Sequence, residues 1–82
     1  MPLFFLHMRH EDLVEERVED REGLFLEDAE AARREAIRSA RDILCAELRK
    51  GHLSLSGEIE VADQYGQPIL TVPFREAVRI DG

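Results

Sequence analysis

One stretch of the sequence decides the fold: residues 28–51 read DAEAARREAIRSARDILCAELRKG. At about 100° per residue, a helical wheel gathers the small and aliphatic side chains of this stretch on one face. Asp28 is a typical N-cap, and Gly51 is a typical helix stop. The pattern predicts one amphipathic helix, and its alanines allow close packing on another layer. The predicted apolar face consists of Ala29, Ala32, Ala36, Ile37, Ala40, Ile43, Leu44 and Leu48.

Two apolar runs precede this helix. Residues 3–8 read LFFLHM, which is typical of a short strand buried on at least one face. Residues 9–22 are highly charged and predict a long turn or a weakly specified hairpin arm, which returns through residues 24–26. Gly23 is expected to supply the bend before the returning run.

Two further strands are predicted after the helix. Residues 57–61 alternate polar and apolar side chains, as a half-buried strand does. Residues 63–66 predict a turn, and residues 69–74 predict the returning strand of a hairpin. Residues 75–80 are compatible with one helical turn or with a short edge extension, and the sequence leaves this choice open.

The predicted order of elements is β-β-α-β-β. A single amphipathic helix must bury its apolar face against another layer, and only the sheet is available. The sequence therefore predicts an α+β fold of two layers, in which an antiparallel sheet carries one helix on one face. A chain of 82 residues supports one small domain, which we expect to span residues 1–82.

The composition is that of a globular domain, with 44% hydrophobic and 35% charged residues. The single cysteine, Cys45, excludes an internal disulfide, so we expect a cytoplasmic location. The first apolar run is too short to span a membrane, and the basic Arg9 follows it instead of preceding it. Neither a signal peptide nor a membrane segment is predicted.

Charge is distributed unevenly along a chain whose formal net charge is −7. Residues 11–30 hold ten acids against Arg17 and Arg21, whereas residues 31–50 hold five arginines and Lys50 against three acids. An acidic protein repels phosphate backbones at long range, which disfavours binding to nucleic acid. The acidic segment fits a basic protein partner better.

The acidic segment contains Asp20-x-Glu22-Gly23 shortly before the helix. On the helical wheel Arg33 falls among the alanines, which predicts that its guanidinium points toward the sheet and needs a carboxylate. We therefore hypothesise a structural clamp in which Arg33 binds the segment of Asp20, Glu22 and Gly23. The planar guanidinium suits a bidentate contact with a carboxylate.

Three other arginines of the helix are predicted to face solvent. Arg34, Arg38 and Arg41 form an outward stripe on the wheel. Pairs four residues apart, such as Glu30–Arg34 and Arg38–Asp42, are expected there. We interpret the stripe as a solvated helix face.

The sequence provides no complete set of catalytic or metal-binding residues. A metal site could be imagined from four neighbouring residues, His7, His10, Glu11 and Asp12. However, His7 belongs to an apolar strand, and no cysteine or second histidine pair stands at ligand spacing. Cys45 has no evident catalytic partner. We therefore predict no catalytic residue, no cofactor, no metal site and no enzymatic activity.

Five short motifs follow one another along nearly the whole chain. They are FFLH at 4–7, DREG at 20–23, DAEAARREA at 28–36, GEIEVAD at 57–63 and LTVPF at 70–74. This pattern resembles a family of short bacterial proteins classed as a domain of unknown function. Members of that family usually have a short Asp-Gly turn after the first strand, where this chain has a longer acidic stretch. The resemblance implies no activity, cofactor or catalytic residue.

The predicted layout is also similar to that of HicB-type antitoxins. These proteins set a short sheet against one helix and have an acidic segment with glycine ahead of the helix. Layout alone does not establish function. Two function classes therefore stay open: a protein-interaction or regulatory module without catalytic activity, which we favour, and a stand-alone structural or stress-related homodimer without a dedicated ligand.

A homodimer is also predicted from the first strand. One helix covers only one face of the sheet, but residues 3–8 offer apolar side chains to both faces. A second copy is the usual cover for such a face, and we expect it to bind there or at an adjoining edge strand. The alternative is that residues 9–22 or the C-terminal turn fold back over the face. Alternation places Leu3, Phe5 and His7 on one face and Phe4, Leu6 and Met8 on the other.

Overall fold

Strands and helices follow one another in the predicted order, with two short additions. The computed structural model describes residues 1–10 and 16–82. Its main elements confirm the α+β class and the β-β-α-β-β order, and β2 and α2 are the additions. The elements are β1 (Leu3–His10), β2 (Glu16–Val18), β3 (Leu24–Phe25), α1 (Ala29–Arg49), β4 (Glu58–Ala62), β5 (Pro68–Pro73) and α2 (Phe74–Ala77).

The sheet is antiparallel and has β1 near its centre. Its order is β2-β1-β4-β5, and β3 also pairs with β1. On one side β1 pairs with β4, with Phe5 opposite Ala62. On the other side β1 pairs with two short strands, with Met8 opposite Val18 in β2 and Leu3 opposite Phe25 in β3. The first strand of the chain is therefore paired along both of its edges.

The ends of α1 match the residues that predicted them. Asp28 is the N-cap, and its Oδ1 accepts a hydrogen bond from the backbone N–H of Ala31 at 2.8 Å. At the other end, the backbone N–H of Gly51 donates to the carbonyl of Leu48 at 2.9 Å, and Gly51 has a φ of +80°. This left-handed conformation favours glycine and ends the helix where the sequence placed the stop.

The core lies between α1 and one face of the sheet. The buried helix residues are mostly alanines, which allow the helix backbone to approach the strands closely. Two members of the predicted apolar face depart from this pattern, because Ala29 is exposed and the side chain of Leu48 is 59% exposed. The buried cluster consists of Phe4, Ala32, Ala36, Ala40, Leu44, Ile59, Val61, Val72, Phe74 and Ala77.

The segment after β5 begins with one helical turn, which settles the choice that the sequence left open. Phe74, the first residue of α2, is fully buried, and its backbone N–H donates to the carbonyl of Gly57 at 2.9 Å. A Cβ at Gly57 would lie 2.5 Å from Cε2 of Phe74. Glycine at position 57 therefore leaves room for the fully buried ring of Phe74.

The sheet face turned away from α1 is mixed in character. Alternation from the buried Phe4 places Phe5 and His7 on this face. On β4, Glu60 lies opposite His7, and Glu58 lies opposite Arg9. Nη1 of Arg9 is 4.0 Å from Oε2 of Glu58. Apolar and charged side chains therefore share the face that α1 leaves uncovered.

Candidate functional site

The segment between β2 and β3 interrupts strand pairing along one edge of β1. β2 pairs with the end of β1, where Met8 faces Val18, and β3 pairs with its start, where Phe4 faces Leu24. Residues 19–23, here called the acidic turn, connect the two short strands and contact the middle of β1. Side-chain hydrogen bonds hold the chain there in place of a regular ladder.

Asp20 organises the acidic turn through its carboxylate. Its Oδ1 accepts hydrogen bonds from the backbone N–H groups of Glu22 at 3.1 Å and Gly23 at 3.0 Å. This is an Asx-type turn, in which a side chain takes the place of a backbone carbonyl. Its Oδ2 accepts a further hydrogen bond from the backbone N–H of Leu6 at 3.1 Å. One side chain therefore folds the turn and fastens it to β1.

His7 provides a second hydrogen bond between β1 and the acidic turn, in which the acidic turn is the donor. Its Nδ1 accepts a hydrogen bond from the backbone N–H of Asp20 at 3.1 Å. Its ring stacks on Phe5, with ring centroids 6.3 Å apart and planes 3° from parallel. β1 and the acidic turn thus exchange two hydrogen bonds, one donated by each segment.

Gly23 closes the acidic turn against β1 in a conformation that favours glycine. Its φ is +74°. A Cβ at this position would lie 2.9 Å from Cδ1 of Leu3 and 3.0 Å from the carbonyl oxygen of Phe4. Any side chain here would be strained both by its backbone angle and by contact with the strand.

The surroundings of Asp20 change the pKa of its carboxyl in two directions. Burial raises the pKa, because it disfavours the charged form. The backbone hydrogen bonds, first among them the one from Gly23, lower it, and His7 lowers it further when its ring is protonated. The lowering effects prevail, so the pKa of Asp20 falls below its ordinary value of 3.8. The turn is therefore built around a carboxylate.

The predicted clamp from Arg33 needs correction. Asp20, Glu22 and Gly23 come together in the acidic turn, but Arg33 does not join them. Its side chain is 53% exposed, and its Nη1 lies 3.9 Å from Oε1 of Glu30. The carboxylate of Asp20 is already satisfied by backbone N–H groups, and a long side chain beside small alanines can carry its charge out to water. A helical wheel does not capture that reach.

The arginine stripe also differs from its expected pairing. Glu30 forms its ion pair with Arg33, three residues along the helix, and not with Arg34. Nε of Arg41 donates a hydrogen bond to the carbonyl oxygen of Ala77 at 2.6 Å, which ties α1 to the end of α2. Sequence reasoning missed this contact, since no local pattern joins residues so far apart in the chain.

Apolar side chains are exposed next to the acidic turn. Phe25 is 68% exposed and Leu24 is 42% exposed, both in β3 at the edge of the sheet. Residues 22–28, here called the β3 surface, surround them with exposed acids and contain no basic residue. The sequence predicted a strand here but not its exposure, which follows from its position at the edge. The acids are Glu22, Glu27 and Asp28.

The structure describes only some of the residues that the sequence offers as metal ligands. His7 contacts the acidic turn, whereas Glu11 and Asp12 lie outside the described residues. Within residues 1–10 and 16–82, no group of three or more His, Cys, Asp or Glu side chains could hold a metal ion. Cys45 is exposed on α1. Of the helices in the described part of the chain, none combines the length and apolar character needed to cross a bilayer.

Comparison with known proteins gives a family and no activity. Residues 3–75 match the family described as a domain of unknown function, DUF6894. No curated protein and no solved structure matches the chain. The matched region runs from the start of β1 into α2 and therefore includes the acidic turn and the β3 surface. Because the match covers most of its length, the chain belongs to this family of domains of unknown function.

Proposed function

We propose that this domain is a non-catalytic protein-interaction module that binds a basic protein segment through the β3 surface. The observation that carries the proposal is the 68% exposure of Phe25 between exposed carboxylates. Aromatic side chains are common energetic centres of protein interfaces, and the residues around them set charge complementarity. The single cysteine of the chain fits a reducing compartment, so we place the module in the cytoplasm.

Charge supports a protein partner over a nucleic acid. Residues 18–30 contain six carboxylates against Arg21. A phosphate backbone would be repelled by this segment, whereas lysine and arginine side chains would be attracted to it. The exposed ring of Phe25 adds apolar contact area to that attraction. A partner segment with basic residues around an apolar centre matches both properties.

The absence of catalysis is part of the same proposal. Cys45, the strongest nucleophile of the chain, is exposed on α1 and carries a free thiol. Nucleophilic catalysis needs an adjacent base or another activating group. Asp20 and His7, the closest polar pair of the site, use their bonding capacity to hold the acidic turn. They are better suited to structure than to chemistry.

Affinity capture with matched aromatic variants tests the proposed interaction. Phe25→Ser should remove the captured partner, whereas Tyr65→Ser should retain it. Tyr65 is a suitable control because it is also exposed, at 84%, but lies in the turn between β4 and β5. Capture should also weaken steeply as salt rises, since exposed charges are screened. Equal capture by the two variants would contradict the proposed surface.

The second candidate function is a structural homodimer formed through the uncovered sheet face. It is favoured by Phe5 and His7, whose stacked rings lie on the face opposite α1. Burying this patch against a second copy would remove apolar area from water. Light scattering coupled to size exclusion should then give twice the chain mass of 9.4 kDa across a dilution series.

A substitution at Phe5 sharpens the test of the homodimer. Phe5→Glu should give a monomer with an unchanged helix signal in circular dichroism, because Phe5 lies outside the core cluster beneath α1. Phe4→Glu is not equivalent, since Phe4 belongs to that core and its replacement should unfold the domain. A wild-type mass near 9.4 kDa at micromolar concentration would exclude the homodimer.

A further inference from the structure

The two hydrogen bonds between β1 and the acidic turn differ in their response to protons. The bond from the Leu6 N–H ends on the carboxylate of Asp20, whose pKa is lowered. This acceptor stays ionised in mildly acidic solution. The bond from the Asp20 N–H ends on Nδ1 of His7. An imidazole nitrogen can change from a hydrogen-bond acceptor to a protonated donor in the physiological pH range, which an ionised carboxylate of lowered pKa does not do.

The geometry at His7 requires a neutral ring. A ring nitrogen that accepts a hydrogen bond carries no proton, so the imidazole holds its proton on Nε2. Protonation adds a proton to Nδ1 and converts the acceptor into a donor. The N–H of Asp20 would then face another N–H at 3.1 Å. The ring and the turn cannot keep this arrangement, so one must move away from the other.

The charged groups around the ring come from three segments of the described chain. Asp20 approaches from the acidic turn, and Glu60 occupies the position of β4 directly opposite His7. Glu60 attracts a protonated ring toward β4 and away from the backbone N–H of Asp20. The carboxylate of Asp20 also attracts it, but this carboxylate belongs to the acidic turn, so its attraction opposes release. On β1 itself Arg9 opposes protonation, but its charge is partly offset by Glu58 at 4.0 Å.

We infer that His7 is a proton-controlled latch, which holds the acidic turn on β1 when its ring is neutral and releases it when Nδ1 is protonated. The acidic turn leads directly into β3, so its release loosens the β3 surface at the edge of the sheet. In this respect the inference rests on the proposed function, since it describes how binding through Phe25 would be regulated. The latch itself is a property of the isolated domain and is tested without any partner.

Amide hydrogen exchange measured by NMR on the full chain tests the latch. Between about pH 8 and pH 5.5, protection factors of the Asp20 and Leu6 amides should fall about tenfold in the wild type, the scale of one lost hydrogen bond. The fall should follow the titration of the His7 ring, recorded from its own proton signals. Amides of Val61 and Ala40, in the core, should keep their protection. Unchanged protection of Asp20 and Leu6 while His7 titrates would overturn the inference.

Two histidine variants assign the effect to the right side chain. His7→Asn offers an amide oxygen near the position of Nδ1 that accepts a hydrogen bond at every pH, so its acidic turn should stay protected throughout. His52→Asn is the matched control, because His52 is exposed after α1, and it should behave like the wild type. If His7→Asn loses protection with falling pH as the wild type does, another group controls the turn and the inference is wrong. Loss of partner binding, by contrast, would not affect any of these readouts.

Discussion

Two regions of the domain hold other segments against β1 by opposite means. One is the core layer beneath α1, and the other is the acidic turn. Beneath α1, contact is apolar, with Phe4 packed among alanines and the fully buried Val61. At the edge of β1, contact depends on a few directed hydrogen bonds centred on Asp20. Apolar packing is insensitive to pH and spread over many atoms, whereas the polar attachment depends on single groups and their protonation. The first suits a permanent core and the second suits a segment that can be released.

Truncating a core side chain should produce the largest difference between the two regions. Phe74 is fully buried, so Phe74→Ala should lower the free energy of unfolding by about 3–5 kcal/mol. Phe25→Ala removes the same ring from an exposed position and should cost about 1 kcal/mol or less. Urea unfolding followed by circular dichroism measures both. Similar losses for the two variants would mean that α2 does not complete the core.

Removing the central carboxylate of the acidic turn should have an intermediate effect. Asp20→Ala leaves the backbone N–H groups of Leu6 and Gly23 without their acceptor, so we expect a loss of about 1–3 kcal/mol. Glu22→Ala is the matched control, because it removes an exposed carboxylate from the same turn. Thermal and urea melts should show little change for the control. A larger loss for Glu22→Ala than for Asp20→Ala would contradict the role assigned to Asp20.

The contribution of Asp20 should depend on pH in a defined direction. Its pKa is lowered in the folded state from 3.8, so ionisation of this group favours folding above that value. The stabilisation is lost as the pH falls through the lowered folded-state pKa. We therefore expect the stability difference between wild type and Asp20→Ala to shrink progressively below about pH 4. Urea melts across the acid range measure it, and a constant difference would contradict the lowered pKa.

The smallest effect is expected at the arginine that the sequence placed in the clamp. Arg33 is half exposed and pairs with Glu30 at 3.9 Å, so Arg33→Ala should change stability by about 0.5 kcal/mol or less. Arg34→Ala, on the same exposed helix surface, should behave alike. Thermal melts of the two variants provide the comparison. A loss of stability in Arg33→Ala but not in Arg34→Ala would support the clamp and contradict the distinction between the two regions.

The apolar region was predictable from the sequence because its signals are local and periodic. Asp28, Gly51 and the spacing of Ala32, Ala36 and Ala40 determine the helix and its buried face. The alternation of residues 57–61 likewise predicts which side chains of β4 enter the core. Such patterns depend only on neighbouring positions, so one sequence is enough to recognise them.

The polar region was not predictable in the same way. The sequence marks the acids around Gly23 as a unit, but the helical wheel assigns Arg33 as their partner, because a wheel gives the direction of a side chain and not its reach. The actual partners are the N–H of Leu6 and the ring of His7, in another segment. No periodicity links these positions to Asp20. Contacts of this kind follow from tertiary packing, which a single sequence does not specify.

The pairing of β1 has a consequence for the synthesis of the chain. On one edge, β1 contacts β2, β3 and the acidic turn, which lie near it in sequence. Its other edge pairs with β4, which is distant in sequence, and there Phe5 lies opposite Ala62. Contacts between distant segments close more slowly than local ones. As the ribosome adds residues, a first small hairpin can therefore form with one bare, hydrophobic strand edge. Until β4 emerges, that edge can recruit another nascent chain, and prompt closure by β4 protects the domain from aggregation.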